Sequence, residues 1–370
     1  MVLKKLELHN FRLHNQSYFN FSDELNYIIG GNGQGKTTVL EAIYYICTTK
    51  SMNQTADSES VTFGETSFEI NGFFSNQTLN KVRMFFDVET NKKTVFVDDK
   101  QVVRSASIIG RFPVVTLTQS DHAVTLGNPS ERRKFFDSVI SQSSETYLKI
   151  LLDYNKTLRQ RSSLLSQIKE KPNSNLYEQL DAWTSTVVAL GTEIVKHRID
   201  FINRFENYVK DAYFEIMNDK ETPWIDYQFL DTVDSEIIAK RFEAALEKMR
   251  EDEIKRGTNL VGPHRDEFFF KINDRDIRKY GSQGQHKTFQ IALRFAQFFF
   301  LKDALSRTPV FLMDDIFGEL DSHRATRISE NLKKLGQAFI TMTDFSNTDK
   351  LEKSKNDLMI EIREGKIVNA

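Results

Sequence analysis

Lys36 and Thr37 close the run Gly30-Gly31-Asn32-Gly33-Gln34-Gly35-Lys36-Thr37, which Thr38 follows. The spacing G-x-x-x-x-G-K-T is that of a phosphate-binding loop, and it carries meaning when a strand precedes it and a helix follows. Both are expected here: the apolar run Leu25 to Ile29 lies before it, and a helical pattern from Thr38 to Cys47 lies after it. Glycines let backbone N–H groups converge on phosphate oxygens, and the helix directs the positive end of its dipole at the same anion. Lys36 is expected to reach the β- and γ-phosphates, and the Thr37 hydroxyl to ligate Mg²⁺. The ligand implied is a nucleoside triphosphate, ATP. A glycine-rich turn before an ordinary helix is the plain alternative, and it gives no reason for the Lys-Thr pair.

A second set of residues suits the same chemistry. Val310-Phe311-Leu312-Met313 is a continuous apolar run ending in Asp314 and Asp315. Strands buried on both faces read this way, and ligands bind beyond the carboxyl ends of such strands. Asp314 is expected to hold Mg²⁺ directly or through a water, and Asp315 to orient or deprotonate the attacking water. An acidic strand end alone is a weak signal; with Lys36 and Thr37 in the same chain it becomes a site. Gly281-Ser282-Gln283-Gly284-Gln285 opens a long helical pattern. Small residues and exposed N–H groups at a helix start suit an anion. Lys36 already serves one set of phosphates, so a second γ-phosphate site makes most sense for a neighbouring copy, two chains facing head to tail. The alternative is a simple N-cap formed by Ser282. Glu319-Leu320-Asp321 follows the acidic strand end, where a partner-facing loop is expected.

The elements that must position these residues follow from periodicity. Val2 to Leu8, Tyr18 to Phe21, Ser67 to Phe74, Val82 to Val88 and Val114 to Thr118 read as short strands, so the first part is β-rich. Pro129 and Ser130 are placed to start a helix over Glu131 to Ile140. Tyr147, Leu151, Tyr154, Leu158, Leu165 and Ile168 keep a 4–3 spacing that Arg161 interrupts. After Lys171-Pro172-Asn173-Ser174-Asn175 the rhythm resumes from Leu176 to Tyr208, which predicts an antiparallel helical hairpin. His197 on its apolar stripe reads as a packed side chain. The final third returns to α/β: a strand Glu267 to Ile272, a helix Gln283 to Leu305 with Phe289, Ala292, Leu293, Ala296 and Phe299 on one side, and a strand Pro309 to Met313. A helix Ser322 to Leu335, a strand Ala338 to Met342 and a closing hairpin turning at Glu364-Gly365 complete it. The division expected is 1–140 for a first lobe with the phosphate loop, 141–256 for an inserted helical subdomain, and 257–370 for the remainder of the head.

The chain has 370 residues, 39% hydrophobic and 28% charged, with a net charge of −2. No global basic field announces a polyanion, so nucleic-acid contact would rest on local patches. Candidates are Arg132, Arg133, Lys134, Arg159, Arg161, Lys196, Arg198, Lys333 and Lys334, each equally at home on a solvated helix face. The single Cys47 excludes an internal disulfide. The opening residues lack a signal-peptide core and no run reaches the length of a membrane span, so a cytoplasmic protein without a membrane partner is expected.

Taken in order, GGNGQGKT, SQGQ, FLMDD and ELD resemble ABC-type ATPases of the SMC group. The closer resemblance is to the RecF family of bacterial repair ATPases. It rests on Leu8-His9-Asn10-Phe11-Arg12, on Gly31 to Ile43, and above all on Asn128 to Asp137 (NPSERRKFFD) and Gly262 to Asp266 (GPHRD). It spans the whole chain, and it implies an α/β P-loop ABC-type ATPase head with a β-rich N-terminal part and an inserted helical arm. By resemblance, Ser282, Gly284 and Gln285 act in trans on the partner's γ-phosphate, Asp321 lies at the dimer interface, and Gln119 takes a glutamine-loop role toward Mg²⁺ and water. Thr343 stands where transporter ATPases carry a switch histidine. The resemblance also implies ATP-dependent dimerisation on DNA, duplex or at single-strand/duplex junctions, weak DNA-stimulated ATP hydrolysis, and cooperation with RecO, RecR and RecA at gaps. A transporter nucleotide-binding subunit and a structural SMC-like head are the competing readings. The insertion between the two motifs is larger than the first needs, and the helical arm shorter than the second needs. His264 and Arg265 are open to contact with nucleotide, DNA or the lobe interface, and equally to a turn braced by an Arg265–Asp266 pair, and neither is counted as catalytic.

Overall fold

In a computed structural model, residues 1–53, 55–76, 78–217, 221–230, 237–319, 322–343 and 354–369 are described. The N-terminal segment supplies β1 (Val2–Phe11), β2 (His14–Asn20), β3 (Leu25–Ile29), α1 (Lys36–Thr48), β4 (Ser67–Ser75), β5 (Leu79–Asp87), β6 (Lys92–Val97), β7 (Lys100–Gln101) and β8 (Val114–Leu117). Leu3 and Leu6 of β1 are both buried although three residues apart. Strict alternation forbids that, and the register of β1 against β4 shifts between Leu3 and Lys5, so a bulge restores the inward face. An antiparallel sheet runs in the order β2-β1-β4-β5-β6-β7. The alternating run Lys92 to Val97 was not anticipated from sequence; its lysines hide a strand that pairs Val82 with Val97 and Met84 with Val95.

Two compact units divide the chain: Met1–Asp121 with Glu215–Asn218 and Ile291–Ala370, and His122–Phe214 with Asp219–Gln290. The second contains α2 (His122–Leu126), α3 (Pro129–Ser143), α4 (Glu145–Glu170), α5 (Ser174–Met217, to Phe214), β9 (Pro223–Gln228), α6 (Ile238–Arg256), β10 (Glu267–Ile272), β11 (Arg275–Asp276) and α7 (Ile277–Tyr280). The paired helices α4 and α5 flank the Lys171–Asn173 turn as periodicity required. Leu164, Leu165 and Ile168 of α4 pack with Leu180 of α5, and Ile254 of α6 joins them. The sequence reading did not single out α6. It explains the break in the α4 rhythm: Arg161 is 2% exposed and its guanidinium bonds Glu253 of α6 at 2.6 Å and Asn259 at 2.6 Å. Strand β10 pairs with β9 and, through a two-residue turn with Asn273 and Asp274 at positive φ, with β11.

Three of the proposed DNA-facing arginines are interior. Arg132 pairs with Glu267 at 2.8 Å, Arg161 with Glu253, and Arg198 with Asp137 at 2.7 Å and Asp266 at 2.5 Å, all three arginines buried. Half-buried Arg133 donates to the Asp266 carbonyl. A guanidinium suits a buried carboxylate because its forked donors match it; sequence shows only the charge and not its partner. The same network replaces the expected Arg265–Asp266 brace. Asp266 accepts from Arg198 and Tyr227, whereas Arg265 donates to the Asn259 carbonyl at 3.1 Å. His197 lies edge-on to Tyr147, ring centroids 5.6 Å apart. Lys134, Arg159, Lys196, Lys333 and Lys334 remain exposed.

Helix α8 (Gln283–Leu305) leads back to the first unit. Its apolar residues are buried on more than one side, Phe298 and Phe300 as well as the anticipated Phe289, Ala292, Leu293 and Ala296, whereas the anticipated Phe299 is half-buried. Then come β12 (Val310–Asp314), α9 (Ser322–Leu332), β13 (Ala338–Met342), β14 (Leu358–Arg363) and β15 (Lys366–Asn369). A second sheet forms in the order β15-β14-β3-β13-β12-β8, parallel except for the terminal hairpin strand. Helix α1 is buried almost throughout, and one core joins it to residues of both sheets of this unit, including Leu6, Ile70, Leu312 and Phe339. Among the described residues no helix is long and apolar enough to cross a membrane.

Candidate nucleotide site

Strand β3 is apolar and fully buried, so the chain must turn sharply at its end to enter α1. Gly35 provides the N-cap of α1 at φ 101°, a left-handed conformation that L side chains rarely adopt. Among the orphan donors of the α1 N-terminus are the N–H groups that a phosphate would take. Lys36 is 7% exposed, and its ammonium folds back onto the carbonyls of Gly30 and Gly31 at 2.6 and 2.8 Å. Burial pulls its pKa down from the usual lysine value, while Asp315 and Asp314 push it back up.

Parallel pairing brings the two motifs together across 277 positions. Strand β13 separates β3 from β12, with Ile28 level with Thr341 and Thr341 level with Asp314. The Thr37 hydroxyl thereby meets both Asp314 carboxylate oxygens, at 2.9 and 3.1 Å. Thr341 donates to Asp314 at 2.7 Å and accepts from the Asp315 N–H at 2.9 Å. Asp315 has a positive φ of 49°, one that Asp tolerates and that recurs at functional sites. A cleft of about 200 Å³ is lined by Leu13, Asn32, Gly33, Gln34, Gly35, Lys36, Thr37, Thr38, Asp314 and Asp315. Its donor set of one hydroxyl and one carboxylate, all hard oxygens, fits Mg²⁺, which takes few protein ligands and completes its shell with phosphate and water.

Gln119 and Thr343, also anticipated, lie in the same unit. Gln119 is exposed, two residues beyond β8, whose Leu117 is level with Met313 of β12. It therefore lies at the same sheet end as Asp314 and Asp315. Its turn is fixed by Asp121, which accepts from the Thr118 N–H at 3.0 Å and from both forks of Arg294. Thr343 follows β13 and is half-buried; Thr341, which the sequence reading passed over, is the β13 threonine on Asp314. Asp321 lies outside the described residues. In the second unit, Ser282 and Gln285 bond reciprocally: the Ser282 N–H reaches the Gln285 side-chain oxygen at 2.8 Å, and the Gln285 N–H reaches Ser282 Oγ at 3.2 Å. This is a capping box at the start of α8. Half-buried Gly284 occupies its first turn. The Gln285 amide also donates to Glu221 at 2.6 Å, and Tyr213 of α5 donates to the same carboxylate.

His14 was also missed. It is buried, its Nε2 bonds the Gly35 carbonyl at 3.2 Å, and burial holds its pKa below the ordinary histidine value. Arg12 of the same turn is tied to Glu41 of α1 at 2.6 Å. The contact of His14 with the phosphate loop carries no local signal, because Gly35 is 21 residues away.

Fold and site together define a P-loop ATPase head of the ABC and SMC type. The family described as the RecF/RecN/SMC N-terminal domain matches residues 2–366. The chain is 41% identical to the DNA replication and repair protein RecF of Chloroherpeton thalassium, over 93% of this chain and 95% of that one. It is 37% identical to the protein of the same name from Salinibacter ruber, over 93% and 85%. A solved structure of the recombination mediator protein RecF with ATPrS superposes with a TM-score of 0.90 at 30% identity, covering 99% of this chain and 97% of that one. An Smc head domain from Pyrococcus furiosus shares the fold alone, with a TM-score of 0.56 at 14% identity. The chain belongs to the RecF family. That membership displaces the transporter-subunit reading.

Proposed function

We propose that this protein binds ATP and Mg²⁺ at the Lys36 cleft, dimerises on DNA in that state, and acts in DNA replication and recombinational gap repair. One observation carries the reading: the phosphate-loop threonine and the acidic end of β12 share a cleft, Thr37 Oγ1 lying 2.9 Å from Asp314. The names of its relatives, DNA replication and repair proteins and a recombination mediator complexed with ATP, support the cellular role.

In this reading the loop from Gly30 to Thr38 holds the phosphates, with Lys36 shifting from the Gly30 and Gly31 carbonyls to the β/γ oxygens. Thr37 and Asp314 hold Mg²⁺, which neutralises charge on the phosphates when bound. Asp315 accepts a proton from water, and Gln119 helps position that water. Ser282, Gly284 and Gln285 meet the γ-phosphate of a second copy, and Asp321 and Thr343 complete the closed interface. ATP then favours the dimer by binding it better than the monomer. DNA, duplex or junction, would be held by exposed cations against phosphates, with weak, DNA-stimulated hydrolysis resetting the clamp and RecO, RecR and RecA following at the gap. The segments 1–140, 141–256 and 257–370 would serve as first lobe, arm and remainder of that head.

The test is sedimentation with and without ATP·Mg²⁺, repeated with gapped DNA. Lys36→Ala should remove nucleotide binding. Asp315→Asn should bind ATP, hydrolyse it poorly and accumulate as dimer. A persistent Asp315→Asn monomer at saturating ATP sinks the clamp; a wild-type chain that binds no nucleotide sinks the whole reading.

A further inference from the structure

The phosphate loop is tied on its outer side to two segments that are remote in sequence. The Gln34 carbonyl accepts from the Gly365 N–H at 3.0 Å, and the Gln34 side-chain oxygen from the Glu364 N–H at 2.6 Å. The next carbonyl, that of Gly35, faces His14 Nε2 at 3.2 Å. With the Nε2 proton directed at Gly35, His14 Nδ1 accepts from the Ser17 hydroxyl at 2.9 Å, and Ser17 Oγ lies 3.2 Å from the Gly365 carbonyl. His14 and Ser17 are 0% and 5% exposed. The β1–β2 turn and the terminal hairpin therefore clasp two consecutive carbonyls of the loop.

That clasp has a consequence for the other side of each peptide. In a trans peptide the C=O and the following N–H point in opposite directions. Fixing the Gln34 carbonyl on Gly365 turns the Gly35 N–H away from the clasp. Fixing the Gly35 carbonyl on His14 does the same for the Lys36 N–H. Two successive N–H groups with one orientation make an anion nest. The Gly35 carbonyl also starts the α1 hydrogen-bond ladder, and His14 adds a second constraint on a peptide whose glycine has no side chain to restrict it.

We propose that His14 is a positioning residue of the nucleotide site, holding the Gly35 carbonyl so that the loop N–H groups are set for phosphate, with Ser17 and the Glu364–Gly365 turn completing the clasp. The proposal rests on the nucleotide reading above. Binding energy is then not lost to ordering the loop when the anion arrives.

The experiment measures Kd for ATP·Mg²⁺ by calorimetry on the full chain, with thermal unfolding of the nucleotide-free protein alongside. His14→Ala should weaken binding about tenfold, the scale of one buried hydrogen bond left unmade. His14→Gln, whose amide N–H can reach the same carbonyl, should recover most of that loss. Ser17→Ala should weaken binding severalfold with His14 intact, and it carries the test if His14→Ala does not fold. Wild-type affinity in both alanine variants overturns the proposal. So does equal loss in His14→Ala and His14→Gln, which would mark a packing role. Lys36→Ala separates the two readings: if wild type binds and Lys36→Ala does not, nucleotide binding stands whatever the clasp variants do.

Discussion

Thr341 shows what a single hydroxyl contributes at the site. It donates to Asp314 and accepts from the Asp315 backbone, so it orients the carboxylate proposed to hold Mg²⁺ and its neighbour together. Thr341→Val keeps the shape and removes both bonds. Turnover should fall about tenfold, the order expected when a hydrogen bond to a charged group is lost. Steady-state ATPase assays across a Mg²⁺ series check this, and an unchanged rate at every concentration contradicts it. His264 makes a pH prediction in the second unit. Burial pushes its pKa down to about 4, and Arg265, Arg133 and Arg161 push the same way, against the Asn259 carbonyl. The folded value lies below the unfolded value of about 6.5. Stability from this residue is therefore full above pH 6.5 and is lost as pH falls toward 4, by up to about 3 kcal/mol. Urea unfolding at pH 7 and pH 5 should show the loss, and His264→Gln should flatten it.

At the scale of elements, buried charge joins segments that apolar packing alone would leave free to slide. Arg198 of α5 reaches Asp137 of α3 and Asp266 before β10, and it accounts for the family-matching runs at 128–137 and 262–266 in physical terms. Arg198→Met would leave the buried Asp266 and the half-buried Asp137 without their shared cation. It should destabilise the second unit by roughly 3–5 kcal/mol, the cost of breaking a buried pair from one side, read as a lower urea midpoint. A midpoint within error of wild type would show that the carboxylates find protons or water instead. The helical hairpin and the strands β1, β4, β8, β10, β12 and β13 were legible because their patterns are local. β6 and α6 escaped: the first is diluted by lysines at its start, and the second has few buried apolar residues, Ile238, Phe242 and Leu246 among them.

For the molecule as a whole, net charge gives no attraction to DNA, so in the proposed function a few exposed cations would supply it. With Arg132, Arg161 and Arg198 buried and Arg133 half-buried, Lys134, Arg159, Lys196, Lys333 and Lys334 are the exposed members of the original set. Replacing by glutamine a cation that meets a phosphate should lower the slope of log K against log salt by about 0.9, with the fold intact. Binding isotherms at several salt concentrations for each variant test this. If all five keep the wild-type slope, the contact surface lies elsewhere.

The amino-acid order alone determined the phosphate loop, the acidic strand end, the capping sequence at Ser282 and the family, because each is a short run whose chemistry depends on near neighbours. Tertiary structure decided which threonine meets Asp314, that His14 faces Gly35, and which arginines are interior. Those outcomes depend on strand order and on burial. Parallel pairing places Thr37, Asp314 and Thr341 in one cleft from segments up to 304 positions apart, and no local pattern encodes that distance.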